Sequence, residues 1–234
     1  MDESAVLKRV AARALELVPD NSIVGLGTGR AATEFVRALG ERARQGFRVR
    51  GIPTSEATTK VAQEYGIPLL RLDEVESIDI TVDGADEVDP NLDLIKGYGG
   101  ALVREKIVAA ASKREIILVG SEKLVAVLGS RGKLPVEVIP FAYSLCRRRL
   151  ADLGLRPALR QANGAPFASD GGNYILDCGT EPIRDPQELE TSIRAIPGVL
   201  GSGLFLGMTE RVIVGDENEV RELTRKSPSL PRRG

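Results

Sequence analysis

Four short segments of this 234-residue chain combine charged side chains with glycine in ways that could bind or transform an anionic substrate. The first is Gly-Leu-Gly-Thr-Gly-Arg (25–30). Glycines there let the backbone approach an anion, and a helix starting just after would attract it with its N-terminus. Arg30 stands where the dinucleotide fingerprint has its third glycine, and no Gly-Lys-Ser/Thr follows, so neither that motif nor a P-loop is present. A plain tight turn is the other reading. The second is Asp-Gly-Ala-Asp-Glu-Val-Asp (83–89), whose carboxylates suit the hydroxyl donors of a sugar but fit a solvated turn too, and fail calcium-loop spacing. The third is Lys-Gly-Tyr-Gly-Gly-Ala-Leu-Val-Arg-Glu-Lys (96–106), a lysine and a glycine run leading into a helix that carries Glu105. In isolation that glutamate reads most simply as a solvated face residue. The fourth is Gly-Ser-Glu-Lys (120–123), where Lys123 is a surface lysine unless phosphate or a developing oxyanion lies near it.

The chain has no histidine, which excludes Ser-His-Asp and Cys-His catalysis within one chain. Two cysteines, Cys146 and Cys178, cannot close a zinc site and fit a reducing cytoplasm. Acid–base work must fall to carboxylates, lysines, tyrosines or cysteines. The net charge is −1 with both signs interspersed, so no nucleic-acid footprint is present. No apolar run approaches the roughly 20 residues that span a bilayer, and the acidic start is no signal peptide.

The elements that must position these segments alternate in type. Apolar spacing predicts helices over 5–18, 31–39, 55–65 and 101–111, the last with Leu102, Ile107 and Ala110 facing inward. Strands are predicted at 23–26, 47–52, 78–82 and 115–119. This alternation argues for an α/β fold: a Rossmann-like parallel sheet with helices on both faces. From about 131 the order becomes strand 134–139, helix 141–153, strands 155–161 and 172–178, helix 186–195 and strand 202–208. That is β-α-β-β-α-β, an inserted ferredoxin-like α+β unit. The division expected is a catalytic domain of 1–130 and 207–234 with an inserted domain of 131–206. Strand 211–214 returns to the first sheet, and 226–234 reads as disordered. All four charged loops then follow strands, where open α/β sheets bind ligands.

Together the four loops resemble the ribose-5-phosphate isomerase type A family. The matching stretches, in family order, are 25–29, Pro-Thr-Ser-Glu-Ala-Thr (53–58), 83–89 and 96–106. They continue with Leu-Pro-Val-Glu-Val (134–138), Gly-Asn-Tyr-Ile-Leu-Asp (172–177), Pro-Gly-Val (197–199) and Gly-Leu-Phe (203–205). Each is weak alone; the ordered set covers nearly the whole chain.

The resemblance implies an aldose–ketose isomerase of the pentose phosphate pathway, interconverting ribose 5-phosphate and ribulose 5-phosphate without metal or organic cofactor. It implies Glu105 as proton acceptor, Asp83 and Asp86 as sugar-contacting aspartates, and Lys96 and Lys123 as substrate-binding lysines. Carried over by segment, the substrate-binding set is Thr28, Gly29, Arg30 and Ala31; Asp83, Gly84, Ala85 and Asp86; Lys96, Gly97, Tyr98 and Gly99; and Lys123. The family's lid corresponds to the ferredoxin-like unit, and its members are homodimers or homotetramers.

Three departures stand out. Arg30 and Ala31 replace two hydroxyl residues, Tyr98 replaces a frequent glycine, and Gly120-Ser121 stands where an acidic pair is common. Backbone N–H groups with the charge of Arg30 would then hold the ligand. Chemically, a partly desolvated carboxylate must remove a C–H proton beside a carbonyl. Glu105 is expected to do this at both carbons, with Lys96 or loop N–H groups facing the oxyanion and Asp83 moving hydroxyl protons. Lys123, Lys96 or the first glycine loop would anchor the phosphate. The competing readings are a sugar-phosphate sensor, an amino-sugar-phosphate deaminase or CoA transferase, and a dinucleotide oxidoreductase.

Overall fold

The computed structural model describes residues 3–225, so the expected disorder of 226–234 lies outside the described residues. Helix α1 (Glu3–Leu15) leads into β1 (Ser22–Leu26), α2 (Arg30–Arg44), β2 (Val49–Pro53), α3 (Glu56–Glu64) and β3 (Ile80–Gly84). A hairpin, β4 (Glu87–Val88) and β5 (Leu94–Ile95), precedes α4 (Leu102–Ala110) and β6 (Glu115–Gly120). Then follow β7 (Lys133–Val138), α5 (Tyr143–Asp152), β8 (Arg156–Leu159), the short hairpin β9 (Gln161–Ala162) and β10 (Ala165–Pro166), β11 (Tyr174–Gly179), α6 (Pro186–Arg194) and β12 (Val199–Ser202). The described chain closes with β13 (Leu204–Phe205), β14 (Arg211–Gly215) and β15 (Val220–Thr224).

The central sheet has the order β15-β14-β6-β3-β1-β2, parallel except for the antiparallel edge β15. Every residue of β6 is buried, and its Ile-Ile-Leu-Val run (116–119) is the continuous apolar stretch of a strand covered on both faces. Ile116 and Leu118 pack with Val10 and Ala14 of α1, Phe35 and Leu39 of α2 and Ala62 of α3. Ile117 and Val119, pointing the other way, pack with Ala109 of α4 and Phe205 of β13. The α2 stripe Ala32, Phe35, Val36, Leu39 has helical spacing. Ser55 caps α3, its Oγ accepting from Thr58 N at 3.1 Å. Among the described residues no helix is long and apolar enough to cross a membrane.

The second sheet has the order β12-β7-β11-β8, all antiparallel, with α5 and α6 following its first and third strands. This is the ferredoxin-like topology.

Several sequence expectations change, among them the end of α2, which runs to Arg44, five residues past the predicted one. The strand predicted over 202–208 is two short strands in different sheets: β12 joins the antiparallel sheet and β13 pairs with β5. Gly203 makes the switch possible. Its N–H donates to Pro135 O and its carbonyl accepts from Lys96 N, and a Cβ there would lie 2.3 Å from Lys96 O. Helix α1 stops at Leu15, three residues early. Edge strand β15, which the sequence reading lacked, has an exposed-to-intermediate pattern with little apolar signal. Most consequential is α4. Its buried face is Leu102, Glu105, Val108 and Ala109, while Ile107 is 48% exposed and Ala110 is exposed. The helix is turned so that the glutamate, not the isoleucine, faces the protein.

Candidate active site

Asp83 is the fourth residue of β3 and is 1% exposed. Its Oδ1 accepts from Thr28 N at 3.0 Å and Gly84 N at 2.7 Å, and its Oδ2 lies 3.0 Å from Lys96 Nζ. The carboxylate is thus pinned across two strand ends. A Cβ at residue 27 would fall 2.2 Å from Asp83 Oδ1, so only glycine permits this approach.

Lys96 follows β5 and is 2% exposed. Its ammonium donates to Gly84 O and lies over the Phe205 ring, 5.4 Å from the centroid. Burial opposes the charge, but Asp83, Glu105 and Glu115 more than offset that and hold its pKa above the ordinary lysine value. Lys96 is therefore a fixed buried cation.

Glu105 lies in the first turn of α4, its N–H donating to Ala101 O. Its Oε2 is 3.6 Å from Lys96 Nζ, an ion pair too long for a hydrogen bond. That oxygen has no hydrogen-bond partner among the described residues. Burial is the main cause that lifts its pKa; Asp83 and Asp86 add to it and Lys96 opposes, leaving it near 8. A carboxylate so placed can take a proton at neutral pH and return it.

The acidic segment does not converge on a point. Asp86 Oδ2 accepts from Tyr98 N at 2.9 Å, and burial raises its pKa. Glu87, fully buried, accepts from Gly129 N and Arg131 N, at 2.6 and 2.8 Å. Asp89 receives Asn91 N and Asp93 N, both at 2.9 Å. Each carboxylate has its own protein donor, and no group of three His, Cys, Asp or Glu able to hold a metal ion occurs among the described residues.

A cavity of about 240 Å³ opens at the carboxyl ends of these strands. Buried Lys96, Gly97 and Glu105 line it, with Gly84, Ala85 and Asp86 beside them. Thr28, Gly29, Arg30 and Ala31 form one wall and Lys123 stands in another, with Gly99 at the edge. Arg30 is exposed and Lys123 half-buried, so positive charge flanks the open side. The first turn of α2 starts at Arg30, behind Gly29 with φ +101°. Two expected site residues do not line the cavity. Asp83 lies behind Lys96, and Tyr98 turns aside: its hydroxyl donates to Lys133 O at 3.2 Å, with Lys133 Nζ 3.9 Å from the ring centroid.

The sequence reading missed a hydroxyl cluster. Thr28 Oγ1 lies 2.7 Å from Thr54 Oγ1, 2.8 Å from Ser55 Oγ and 3.3 Å from Thr58 Oγ1. The signal was the hydroxyl-dense segment 53–58 at a strand-to-helix turn. Leu7, which also lines the cavity, carried no local signal, and Glu122 lies in the fourth charged segment without having been assigned a role.

The chain is similar to known proteins over most of its length. The family model for ribose 5-phosphate isomerase A (phosphoriboisomerase A) matches residues 50–219. The chain is 55% identical over 221 residues to ribose-5-phosphate isomerase A of Gloeobacter violaceus, covering 94% of this chain and 96% of that protein. It is 48% identical over 236 residues to the Roseiflexus castenholzii protein of the same name, with both chains fully covered. Among solved structures, ribose 5-phosphate isomerase A from Methanocaldococcus jannaschii matches with TM-score 0.91 and 41% identity, over 95% of this chain and all of that one. A D-ribose-5-phosphate isomerase in complex with phospho-erythronic acid matches with TM-score 0.93 and 39% identity, over 96% of this chain and all of that one.

Proposed function

The chain belongs to the ribose 5-phosphate isomerase A family and interconverts ribose 5-phosphate and ribulose 5-phosphate, and on that premise we propose that Glu105 is the base that carries the proton between C1 and C2. In the open-chain aldose the C2 proton is acidified by the neighbouring carbonyl. Glu105 removes it, giving an enediolate; the proton of the C2 hydroxyl passes to O1, and the same carboxyl returns its proton to C1 to give the ketose. Lys96, a fixed cation 3.6 Å from Glu105, faces the oxygen on which charge develops. Asp83 keeps Lys96 in place and charged, and Asp86, which lines the cavity, meets the sugar hydroxyls. The 5-phosphate lies toward Arg30, Lys123 and the backbone N–H groups at the start of α2. Anchoring there positions the reacting carbons at Glu105.

The single observation that carries this reading is the buried Glu105 beside a buried lysine at the wall of a cavity, with a raised pKa and an oxygen that has no hydrogen-bond partner among the described residues. The relative solved with phospho-erythronic acid fits as well. That ligand carries a phosphate and a carboxylic acid on a hydroxylated chain, the acid's carboxylate matching the planar charge of an enediolate. The ferredoxin-like unit, within 131–206, is the lid over a catalytic domain of 1–130 and 207–234. A homodimer or homotetramer in the cytoplasm completes the proposal; light scattering tests the assembly.

The deciding experiment is an isomerase assay on ribose 5-phosphate with and without a strong chelator. Turnover unaffected by chelation is expected. Inhibition reversed by magnesium would return the acidic segment to a metal role.

A further inference from the structure

We propose that Arg160, on the ferredoxin-like unit, is a positioning residue for catalysis: it clamps the glycine loop between Lys96 and Glu105. Arg160 directly follows β8, the edge strand of that unit, and its side chain is 12% exposed. Its Nε and Nη2 donate to the two carboxylate oxygens of Asp177 on β11, at 2.9 and 2.5 Å. This bidentate pair fixes the guanidinium plane. The remaining nitrogen, Nη1, reaches out of the unit and donates to the carbonyls of Gly97 and Tyr98, at 3.2 and 3.1 Å.

Those carbonyls belong to the segment that separates the proposed oxyanion partner from the proposed base. Lys96 precedes it and α4, with Glu105, begins at Leu102. Gly97 (φ +103°) and Gly100 (φ +89°) both adopt the left-handed region, a conformation that by itself does little to hold the loop. Besides the clamp, Gly97 O also accepts from Gly100 N at 3.0 Å. Phe167 packs over the same turn: a Cβ on Gly100 would lie 2.6 Å from its ring, and the Arg160 guanidinium lies 5.7 Å from the ring centroid. Besides the Phe167 and Tyr98–Lys133 contacts, the lid therefore holds the loop through one guanidinium whose four hydrogen bonds are divided equally between its own carboxylate and the catalytic loop. Lysine has no such fork and can serve only part of this set.

The inference rests on the reading of Lys96 and Glu105 as catalytic, so Glu105→Gln is measured in parallel. Arg160→Gln and Arg160→Lys are compared with the parent for kcat, KM and thermal midpoint. Misplacing the loop by about an ångström predicts a fall in kcat on the order of 10²-fold in Arg160→Gln. KM should stay within about threefold, because the phosphate end is untouched. Arg160→Lys should recover part of the loss. A folded Arg160→Gln with kcat within about twofold of the parent, or a loss confined to KM, overturns the proposal. If Arg160→Gln does not fold, the same thresholds apply to Arg160→Lys: kcat unchanged there overturns it and kcat lowered at constant KM supports it. Full activity in Glu105→Gln would instead remove the reading beneath it.

Discussion

Oε2 of Glu105 and Nζ of Lys96 face each other at 3.6 Å, both on side chains almost wholly removed from solvent. The separation is close enough for the cation to stabilise charge on the carboxylate, and too long to occupy its lone pairs with a hydrogen bond. Lys96 gives its closer contacts to Asp83 and Gly84. Glu105 thus keeps an oxygen available for chemistry while a positive charge stands where negative charge must develop.

Replacing Glu105 by Gln keeps the shape and removes the base. A positioned general base contributes ~10²–10⁴-fold, so kcat should fall by that amount. Binding of ribose 5-phosphate, measured by calorimetry, should stay within about threefold. A variant that keeps most of its turnover takes Glu105 out of the mechanism.

The pH profile follows from the direction of the shift. Burial raises the pKa of Glu105 above the ordinary 4.5, and a base acts only when deprotonated. The acid limb of kcat/KM should therefore lie well above the ordinary carboxylate range, with activity rising as pH increases through it. Lys96 opposes the shift, so in Lys96→Met any residual activity should show the limb at still higher pH. A limb at ordinary glutamate values would contradict the assignment.

Arg30 supplies a charge where the family pattern has a hydroxyl. Arg30→Ser should raise KM by roughly two- to fivefold at low salt, the size of an exposed ion pair. The difference should shrink as salt shortens the Debye length below ~10 Å. KM values that coincide with the parent's across the salt series would rule out the charge role.

Glu115, at the start of β6, is 2% exposed; Thr209 Oγ1 donates to one oxygen at 3.0 Å and the other has no partner among the described residues. Burial raises its pKa to about 7. Its folded value exceeds its unfolded one, so its stabilising contribution is complete below the unfolded pKa and is lost as pH rises through the folded one. Glu115→Gln keeps an acceptor for Thr209 and removes the buried charge. Its stability relative to the parent should thus increase between pH 5.5 and 8.5, by roughly 2 kcal/mol. Urea unfolding at the two pH values checks this; a difference independent of pH would be inconsistent with it.

The sequence by itself determined the alternation of elements, the placement of three of the four charged loops after predicted strands, and the order of motifs that marks the family. These are local properties: apolar periodicity, glycines at turns and residue types at fixed spacing survive without knowledge of the partners. The β-α-β-β-α-β unit was legible for the same reason. Strands β4, β5, β13 and β15 were not, because two-residue strands and a charged edge strand exist only through their neighbours.

Only the tertiary structure decided which way α4 faces. By composition Ile107 belongs inside and Glu105 outside; the fold reverses this because Lys96, itself held by Asp83, gives the carboxylate a buried counter-charge. It likewise decided that Asp83 supports Lys96, that Tyr98 turns away from the cavity, and that Arg160 reaches across from another sheet. Each of these depends on groups distant in sequence meeting at about 3 Å, and pairings of that kind leave no periodic trace in the chain.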